Sequence, residues 1–361
     1  MQWSESDFDL KLKIVAALAM IISLAGCGVP SHINISGPGP TDPAPTAAES
    51  AYVIQNPAIF GSGSGMILQF SSTATGAATP KSTITAPADT SFGSLATDSS
   101  GNIYVAANSP ISLDVREYST GSTGSATPIR LLPSNTTTLL SAPDGIDTDA
   151  TGEIFVSEDT GGIATYSEAA NGSVAPVSYI LGAAQTGGGL STLIEANAVA
   201  ADSSGNLYIM NEGAPNLMPI CVFSPGATGN VAPARTIGGA NTTIDSMGGL
   251  TIDSVGNLYV SSSTSNSNGI YAGSILEFAP TASGNVAPTR VITGSSTQLG
   301  KLGGIKVDST GNIFVVSTDS TGKNPTVLEF SDTATGNAAP TSSFTSSAWT
   351  NPDNGISIAV H

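Results

Sequence analysis

The chain has 361 residues and a formal net charge of −17, with 10 Lys and Arg residues against 27 Asp and Glu. So few bases cannot form the patch that neutralises phosphates, which disfavours a nucleic-acid-binding protein. Charged residues make up only 10% of the chain and Gly occurs 41 times, a composition poor in the Glu, Lys and Arg of long helices. Short strands and tight turns use what is abundant here, so an all-β protein is predicted.

The N-terminus has the pattern of an export signal. Lys11 and Lys13 precede an apolar stretch, residues 14–25, that is too short to span a bilayer but suits the core of a signal peptide. The stretch runs into the sequence LAGC, residues 24–27, which resembles the lipobox of bacterial lipoproteins. That resemblance implies cleavage before Cys27 and lipidation of this residue. The alternative is an ordinary secretory signal in which the Cys occurs by chance.

The residues after the Cys suggest a destination and a tether. Gly28 stands where lipoproteins retained in the inner membrane carry Asp, so the chain resembles outer-membrane cargo, with the periplasmic or surface side left open. Residues 27–50 are rich in Pro, Gly, Ser and Thr and are predicted to be a disordered tether. The predicted division is then a signal peptide over 1–26, the lipidated tether over 27–50 and a folded domain over 51–361.

A repeat organises the predicted folded domain. The sequence GLTIDSVGNLYV, residues 249–260, has close copies that begin at Ser94, Gly145, Ala198 and Gly304. A second motif follows each copy: an apolar run ending in Phe or Tyr, then a Gly-rich turn, then Ala-Pro or Thr-Pro. The second motif occurs six times but the first only five. Such a period indicates repeated supersecondary units that pack against one another.

The missing copy of the first motif is split between the two ends of this domain. Residues 355–360, GISIAV, read like its first strand, and residues 51–54, AYVI, read like its second. A closed ring explains the split, because the last strand then completes the first sheet and leaves no free edge. We therefore predict a six-bladed β-propeller of four-stranded antiparallel blades, closed by pairing of the C-terminal strand into the N-terminal blade. Strands are lettered a to d from the axis outwards.

The first motif resembles the NHL repeat, which reads apolar-x-apolar-Asp-x-x-Gly-Asn-apolar-aromatic-Val. The resemblance covers residues 51–361 and implies a six-bladed propeller. The Asn-His-Arg run usual in NHL repeats is absent and the repeat is longer than usual, so the resemblance implies the ring and no particular function.

Each copy of the first motif carries one Asp, at intervals of 51 to 55 residues. A carboxylate here can accept backbone N–H groups across its own turn, and recurrence in each blade favours that structural role over a metal site. A calcium loop also needs oxygen ligands at alternate positions and a distal Glu, which the motif lacks. The predicted turn residues are Asp98, Asp149, Asp202, Asp253 and Asp308.

Three other side-chain predictions concern packing. An aromatic residue recurs at the same position of strand b in every blade. We expect it to lie in the core between blades and not to form a platform on which sugars stack. Trp349 has no counterpart in the repeat and is expected to fill the last blade joint rather than to lie on the surface. Cys221 lies in an apolar run and is expected to be a buried, inert thiol.

Histidine is nearly absent, since His32 lies in the predicted tether and His361 is the last residue. Amidating-lyase and antibiotic-lyase propellers have related repeats and depend on His, so the count excludes a His-ligated zinc site and a Ser-His-Asp triad. Lactonase-like propellers instead hold a divalent cation with Asp, Glu and Asn at the top of the channel. The residues on the corresponding d–a and b–c loops here are Asp144, Glu158, Asp159, Glu195, Asn197, Asn211, Glu212, Asp353 and Asn354.

Those loop residues leave the function open between classes. They could bind Ca²⁺, or they could be the solvated acids expected on the loops of any chain this acidic. The favoured interpretation is a non-enzymatic binding module, anchored in the envelope, for a protein or a glycan. The alternatives are a Ca²⁺-dependent lactonase or other hydrolase, and a purely structural envelope or adhesion component. Ca²⁺ is the one cofactor left open, and a catalytic residue set is not predicted.

Overall fold

The computed structural model describes residues 50–56, 63–109, 112–182, 193–211, 220–349 and 357–361. Over these residues the protein is a β-propeller of six antiparallel sheets arranged in a ring, as predicted. The described residues contain no α-helix and one short 3₁₀ turn, Ala240–Thr242. No described helix is therefore long and apolar enough to cross a membrane.

The strands are numbered in chain order, and each blade takes four of them from the axis outwards. Blade 2 consists of β5 (Ser91–Thr97), β6 (Ile103–Ser109), β7 (Ser112–Tyr118) and β8 (Arg130–Pro133). Blade 3 consists of β9 (Pro143–Thr148), β10 (Ile154–Glu158), β11 (Ile163–Tyr166) and β12 (Ser178–Ile180). Blade 4 consists of β13 (Ala196–Ala201), β14 (Leu207–Asn211), β15 (Ile220–Phe223) and β16 (Arg235–Ile237).

The remaining three blades complete the ring. Blade 5 consists of β17 (Ser246–Ile252), β18 (Leu258–Ser265), β19 (Tyr271–Phe278) and β20 (Arg290–Thr293). Blade 6 consists of β21 (Leu302–Val307), β22 (Ile313–Ser317), β23 (Thr326–Phe330) and β24 (Ser342–Thr345). Blade 1 is assembled from both ends of the domain, as β25 (Ile358–Val360), β1 (Ser50–Gln55), β2 (Met66–Ser71) and β4 (Ser82–Thr85).

The C-terminal strand closes the ring as the sequence predicted. β25 pairs antiparallel with β1, and the register places Ala359 opposite Tyr52. The backbones of Ser50 and His361 exchange two hydrogen bonds of 3.0 Å at the end of this pair. β25 also reaches blade 2, because the Val360 carbonyl accepts a hydrogen bond from the Thr97 hydroxyl at 3.1 Å, and Ser357 just before the strand accepts one from the Leu95 N–H at 3.3 Å. The strand therefore belongs to one blade and is held by the next.

The hydrophobic core is divided among the six interfaces between neighbouring blades, which we call seams. Each seam holds one cluster of buried apolar side chains. The aromatic residue of strand b contributes to a different cluster in every blade and is buried each time, which confirms its predicted place between blades. These residues are Tyr52, Tyr104, Phe155, Tyr208, Tyr259 and Phe314.

Trp349 fills the seam between blades 6 and 1, as expected. Its ring lies 5.6 Å from that of Phe70 on strand c of blade 1 and 5.8 Å from that of Phe344 on strand d of blade 6, measured between centroids. Cys221 is also buried, in the cluster between blades 3 and 4. The closing seam thus has an aromatic cluster of its own beside the strand that completes the ring.

A second link joins neighbouring blades at the rim. The Gly of each c–d turn lies against strand d of the preceding blade, in four cases through a parallel bridge such as Ile237 to Gly284 and at Gly172 through a hydrogen bond to the Leu131 carbonyl. At the closing seam the same contact becomes a two-residue strand, β3 (Gly76–Ala77), which pairs parallel with β24. We call this contact the rim clasp. Its Gly residues have φ between 60° and 72° and are Gly76, Gly124, Gly172, Gly229, Gly284 and Gly336.

Candidate functional site

The propeller has two faces with different chemistry. The upper face carries the d–a and b–c loops, and the lower face carries the a–b turns with the motif aspartates. Each aspartate on the lower face is used by its own turn. In the first copy, the Asp98 Oδ1 atom accepts the backbone N–H groups of Ser100 and Asn102, both at 2.9 Å, and Oδ2 accepts the Asn102 side-chain amide at 2.8 Å. The backbone pattern recurs at Asp149, Asp202, Asp253 and Asp308.

The strand-b tyrosines connect these turns to the next blade. The Tyr259 hydroxyl donates to Asp253 at 3.2 Å and accepts from Arg290 at 3.2 Å. The Arg290 guanidinium also pairs with Glu277 and donates to the carbonyl of Ala334 in blade 6 at 2.9 Å. Burial raises the pKa of Tyr259, so the hydroxyl stays protonated and can donate to the carboxylate. On the lower face these polar groups serve the ring itself.

A cavity of about 290 Å³ lies in the channel at the upper face, and we call it the channel cavity. All six inner strands or the residues beside them contribute to its wall. The wall combines apolar side chains, glycine backbone and a small number of polar groups, which is the usual make-up of a ligand pocket. The side chains that give it its chemistry are Asp144, Asn197, Met247, Lys301, Lys306 and Ser357.

An ion pair spans the channel at this cavity. The Lys306 Nζ atom, on strand a of blade 6, lies 2.8 Å from Asp147 Oδ1 on strand a of blade 3. Blades 3 and 6 are opposite each other in a ring of six, so the pair joins the two sides of the channel. The other Asp147 oxygen accepts the Ala201 N–H from blade 4 at 3.2 Å. This ion pair therefore crosses the channel at the lower end of the cavity.

The structure separates the nine predicted loop ligands. Asp144 and Asn197 line the channel cavity. Asp159 and Glu195 are exposed on loops and do not line it. Glu158 and Asn211 are buried and bind backbone instead. Glu212, Asp353 and Asn354 lie outside the described residues, as do Cys27 and His32.

Glu158 and Asn211 share a position that holds the d–a loop. The fifth residue of strand b accepts a loop N–H that lies 17 positions earlier in the chain, and this occurs in four blades. In blade 2 the equivalent residue is Ala107, and the Asn56 side chain of blade 1 accepts the Phe92 N–H at 2.8 Å instead. The four bonds join Ser141 to Glu158 at 2.8 Å, Ile194 to Asn211 at 2.9 Å, Asp245 to Ser262 at 2.9 Å and Gly300 to Ser317 at 3.0 Å.

Glu158 is the one acid among these anchors. Its Oε2 atom accepts the N–H groups of Ser141 and Ala142, at 2.8 and 2.6 Å, and the Ser141 hydroxyl at 2.8 Å. The side chain is fully buried, and burial raises the pKa of its carboxyl against the effect of these hydrogen bonds. A polar residue at the fifth position of strand b in four of the copies was the sequence signal for this role.

The described residues do not form a metal centre of the usual kind. Among them, no three His, Cys, Asp or Glu side chains come together in a group that could hold an ion. The channel cavity offers one carboxylate, Asp144, in a wall that also contains Lys301 and Lys306.

A second cavity, of about 610 Å³, lies off the axis between blades 5 and 6, and we call it the 5/6 groove. It opens on the same face as the channel cavity, and Thr318 lines both. Its side chains come from the start of β19, the d–a loop after β20, and the b–c loop and strand c of blade 6. The polar and aromatic ones are Tyr271, Ser295, Gln298, Asp319, Asn324 and Thr326.

Known proteins resemble this chain in fold. It matches no protein-family profile and no curated protein. A crystal structure of a protein of unknown function from Bacteroides caccae aligns with a TM-score of 0.52 and 9% identity, over 86% of this chain and 98% of that one. The WD40 propeller domain of Doa1 aligns with a TM-score of 0.49 and 12% identity, over 82% of this chain and 79% of that one. The structure of YCF48 bound to D1 peptide aligns with a TM-score of 0.42 and 10% identity, over 86% of this chain and 92% of that one. The first likeness supports the fold alone.

Proposed function

We propose that this protein is an envelope-anchored lipoprotein with NHL-like repeats, and that it acts as a binding module for an envelope protein or a glycan. The observation that carries the proposal is the presence of two adjoining cavities on the upper face, the channel cavity and the 5/6 groove. Ligands bind in concave sites with a few well-placed polar groups. The motif aspartates of the lower face are instead used by their own turns.

The channel cavity supports binding from the upper face. Asp144 lies on the blade 3 side of its wall, and Lys301 and Lys306 lie on the blade 6 side. A ligand that enters meets Asp144 on one side and, on the other, Lys301 and the Lys306–Asp147 pair, which favours a polar ligand with both donors and acceptors. The Lys306–Asp147 ion pair stands between this cavity and the lower face.

A Ca²⁺-dependent lactonase or hydrolase is the alternative in the enzyme class. Ca²⁺ takes six to eight oxygen ligands, several of them carboxylates. Among the described residues the channel wall offers one carboxylate, Asp144, and the Lys306 ammonium on its far side is already paired with Asp147. This falls short of the ligand set that Ca²⁺ takes, which is why we favour the binding module. Calorimetry with CaCl₂ separates the two. The binding module predicts no heat and no thermal shift, whereas heat that Asp144→Asn abolishes would establish the Ca²⁺ site.

Photo-crosslinking tests which face is used. Ser295 is exposed on the upper face in the 5/6 groove, and Val255 is 73% exposed in the a–b turn of blade 5 on the lower face. A benzophenone amino acid is placed at one or the other position, and the chain is irradiated with envelope extract. We expect a defined adduct from position 295 that excess unlabelled chain removes, and none from 255. Adducts from 255 alone would contradict the proposal, and a purely structural component would give none from either.

Replacement of the predicted lipidated residue tests the anchor. We expect Cys27→Ser to move the protein from the membrane pellet to the soluble fraction, because a protein without its acyl chains loses its hold on the bilayer. Cys221→Ser is the matched control, since that thiol is buried in the domain and its loss should leave the protein in the pellet. A Cys27→Ser protein that still pelleted with membranes would remove the lipoprotein part of the proposal.

A further inference from the structure

The seam between blades 5 and 6 carries features that the repeat does not explain. β18 and β19 are eight residues each, the longest strands in the described part of the chain. Tyr271 begins β19 and lies outside the repeat position that the core aromatics share. The b–c loop of blade 6 contains an additional Asp turn, at Asp319, on the face opposite the other five. The ring needs its structural contacts at every seam, whereas a binding site needs its own special residues at one seam only.

We propose that the 5/6 groove is a carbohydrate-binding site for a neutral glycan, with Tyr271 as the platform for a sugar ring. This inference rests on the proposed binding role of the upper face and names the ligand class for one part of it. Sugars present apolar C–H faces and many hydroxyls. A site for them needs an aromatic side chain with amide, carboxylate and hydroxyl groups around it.

The groove provides these groups with hydrogen-bonding capacity left over. Tyr271 is half-buried, and its hydroxyl makes no hydrogen bond with the described residues. Gln298 and Ser295 are exposed, and their side chains are likewise without a partner among the described residues. Asn324 uses its amide N–H on Asp319 at 2.7 Å and keeps its carbonyl oxygen for a ligand. Both donors and acceptors therefore face the groove.

The wall of the groove is already ordered. The Tyr271 ring is held by Lys301, whose Nζ atom lies 5.9 Å from the ring centroid. The Asp319 Oδ1 atom accepts the Thr321 and Lys323 N–H groups at 2.8 and 3.0 Å. These bonds, with that of the Thr321 hydroxyl as the largest cause, lower the pKa of Asp319 to about 2. A ligand then binds without the entropy cost of ordering the site.

Charge and backbone bonding favour a neutral glycan over other ligands. Asp319 is the one charged residue among the described residues that line the groove, and Lys301 on the Tyr271 ring offsets it, so the local charge suits an uncharged ligand. The net charge of −17 on the whole chain opposes an anionic one. A peptide that adds as a strand needs free backbone groups at a sheet edge. The Tyr271 N–H already bonds to the Ser320 carbonyl at 2.8 Å, and the Gly273 N–H bonds to that of Leu299 at 3.1 Å. This edge of β19 is occupied.

The test uses a panel of soluble oligosaccharides of defined structure. The chain is titrated with neutral oligomers of glucose, xylose, mannose and N-acetylglucosamine, and with an oligogalacturonate as the anionic probe. Saturation-transfer NMR detects binding and calorimetry measures its affinity. We expect at least one neutral oligomer to bind and the oligogalacturonate not to bind. We expect Tyr271→Ala to weaken the neutral ligand about tenfold or more, and Tyr271→Phe to retain most of the affinity because the ring remains.

A second variant keeps the test valid if Tyr271→Ala fails to fold. Gln298 has a φ of 61°, where Gly is at least as stable, so Gln298→Gly removes the amide without strain. We expect it to weaken the sugar several-fold at an unchanged melting temperature. Asn268→Ala is the control, since Asn268 is exposed in the same blade 5 hairpin but does not line the groove.

Three results would overturn the inference: binding by none of the neutral oligomers, binding that both groove variants leave intact, or preference for the oligogalacturonate. The proposed function is tested separately. An envelope protein crosslinked from position 295, with no sugar bound, would leave the upper face as the binding face and remove the glycan.

Discussion

Glu158 and Asn211 occupy the same position at the end of strand b in neighbouring blades, and both hold a d–a loop. The chain places an acid and an amide there, and hydroxyls in blades 5 and 6, because any short acceptor can receive the loop N–H. The Lys306–Asp147 pair joins opposite sides of the channel and is not part of this repeated pattern. At the scale of single residues, side chains that recur at the same position of the repeat build the ring, whereas side chains that occur once can line its cavities.

Removal of the Glu158 carboxylate should destabilise the fold. Glu158→Ala removes a buried carboxylate and leaves the N–H groups of Ser141 and Ala142, on the partly exposed loop, without their acceptor. We expect a loss of roughly 1–3 kcal/mol in the free energy of unfolding, the range for one unsatisfied buried group, since these two groups are only partly shielded from water. Urea denaturation measures it. The control is Glu168→Ala, which replaces an exposed Glu in the same blade. An equal, small effect of both substitutions would show that Glu158 does not hold the loop.

The same carboxyl predicts a pH dependence. Its pKa in the folded protein is raised above the ordinary value of 4.5, so the folded state holds the proton more tightly than the unfolded state. The protonated form then adds stability below that value, and this contribution is lost as the pH rises through the folded pKa. We expect the stability of the native chain, relative to Glu158→Gln, to fall as the pH is raised from 4.5. A relative gain over that interval would contradict the burial effect.

At the scale of elements, each hairpin joins the next through two contacts, the core of the seam and the rim clasp. The core is made by apolar side chains on all four strands, and the clasp by the c–d turn. The turn reaches the preceding blade because its Gly adopts a left-handed conformation. A Cβ atom added at Gly284 would meet no neighbouring atom within 4 Å, so a larger residue causes no steric conflict there. The requirement for Gly is conformational alone.

Substitution of Gly284 tests the clasp. Its φ is 69°, so Gly284→Ala should cost about 1 kcal/mol of stability through backbone strain. Gly284→Asn is the matched variant, because Asn tolerates the left-handed region better than Ala does. We expect the melting temperature, measured by circular dichroism, to be highest with Gly, lower with Asn and lowest with Ala at this position. If Ala melted at the temperature of the native chain, the clasp would not depend on this conformation.

At the scale of the whole molecule, the sequence predicted the ring and its closure but not the cavities. The blade count and the pairing of β25 with β1 follow from a motif that returns at intervals of 51 to 55 residues and is split between the ends. The channel chemistry could not be predicted, because Lys306 and Asp147 meet across the ring at a separation of 159 residues. The 5/6 groove depends on how the long β18–β19 hairpin packs against blade 6, and a local sequence pattern does not specify that packing.

Removal of the closing strand tests the closed ring on which both cavities depend. Deletion of residues 355–361 removes the buried Ile358 side chain and the hydrogen bonds between Ser50 and His361. We expect a loss on the order of 5 kcal/mol, from one buried aliphatic side chain and several backbone hydrogen bonds. The control is a deletion of equal length, residues 34–40, within the predicted tether. The account predicts a clearly lower melting temperature for the C-terminal deletion alone, and equal melting temperatures for both variants would contradict it.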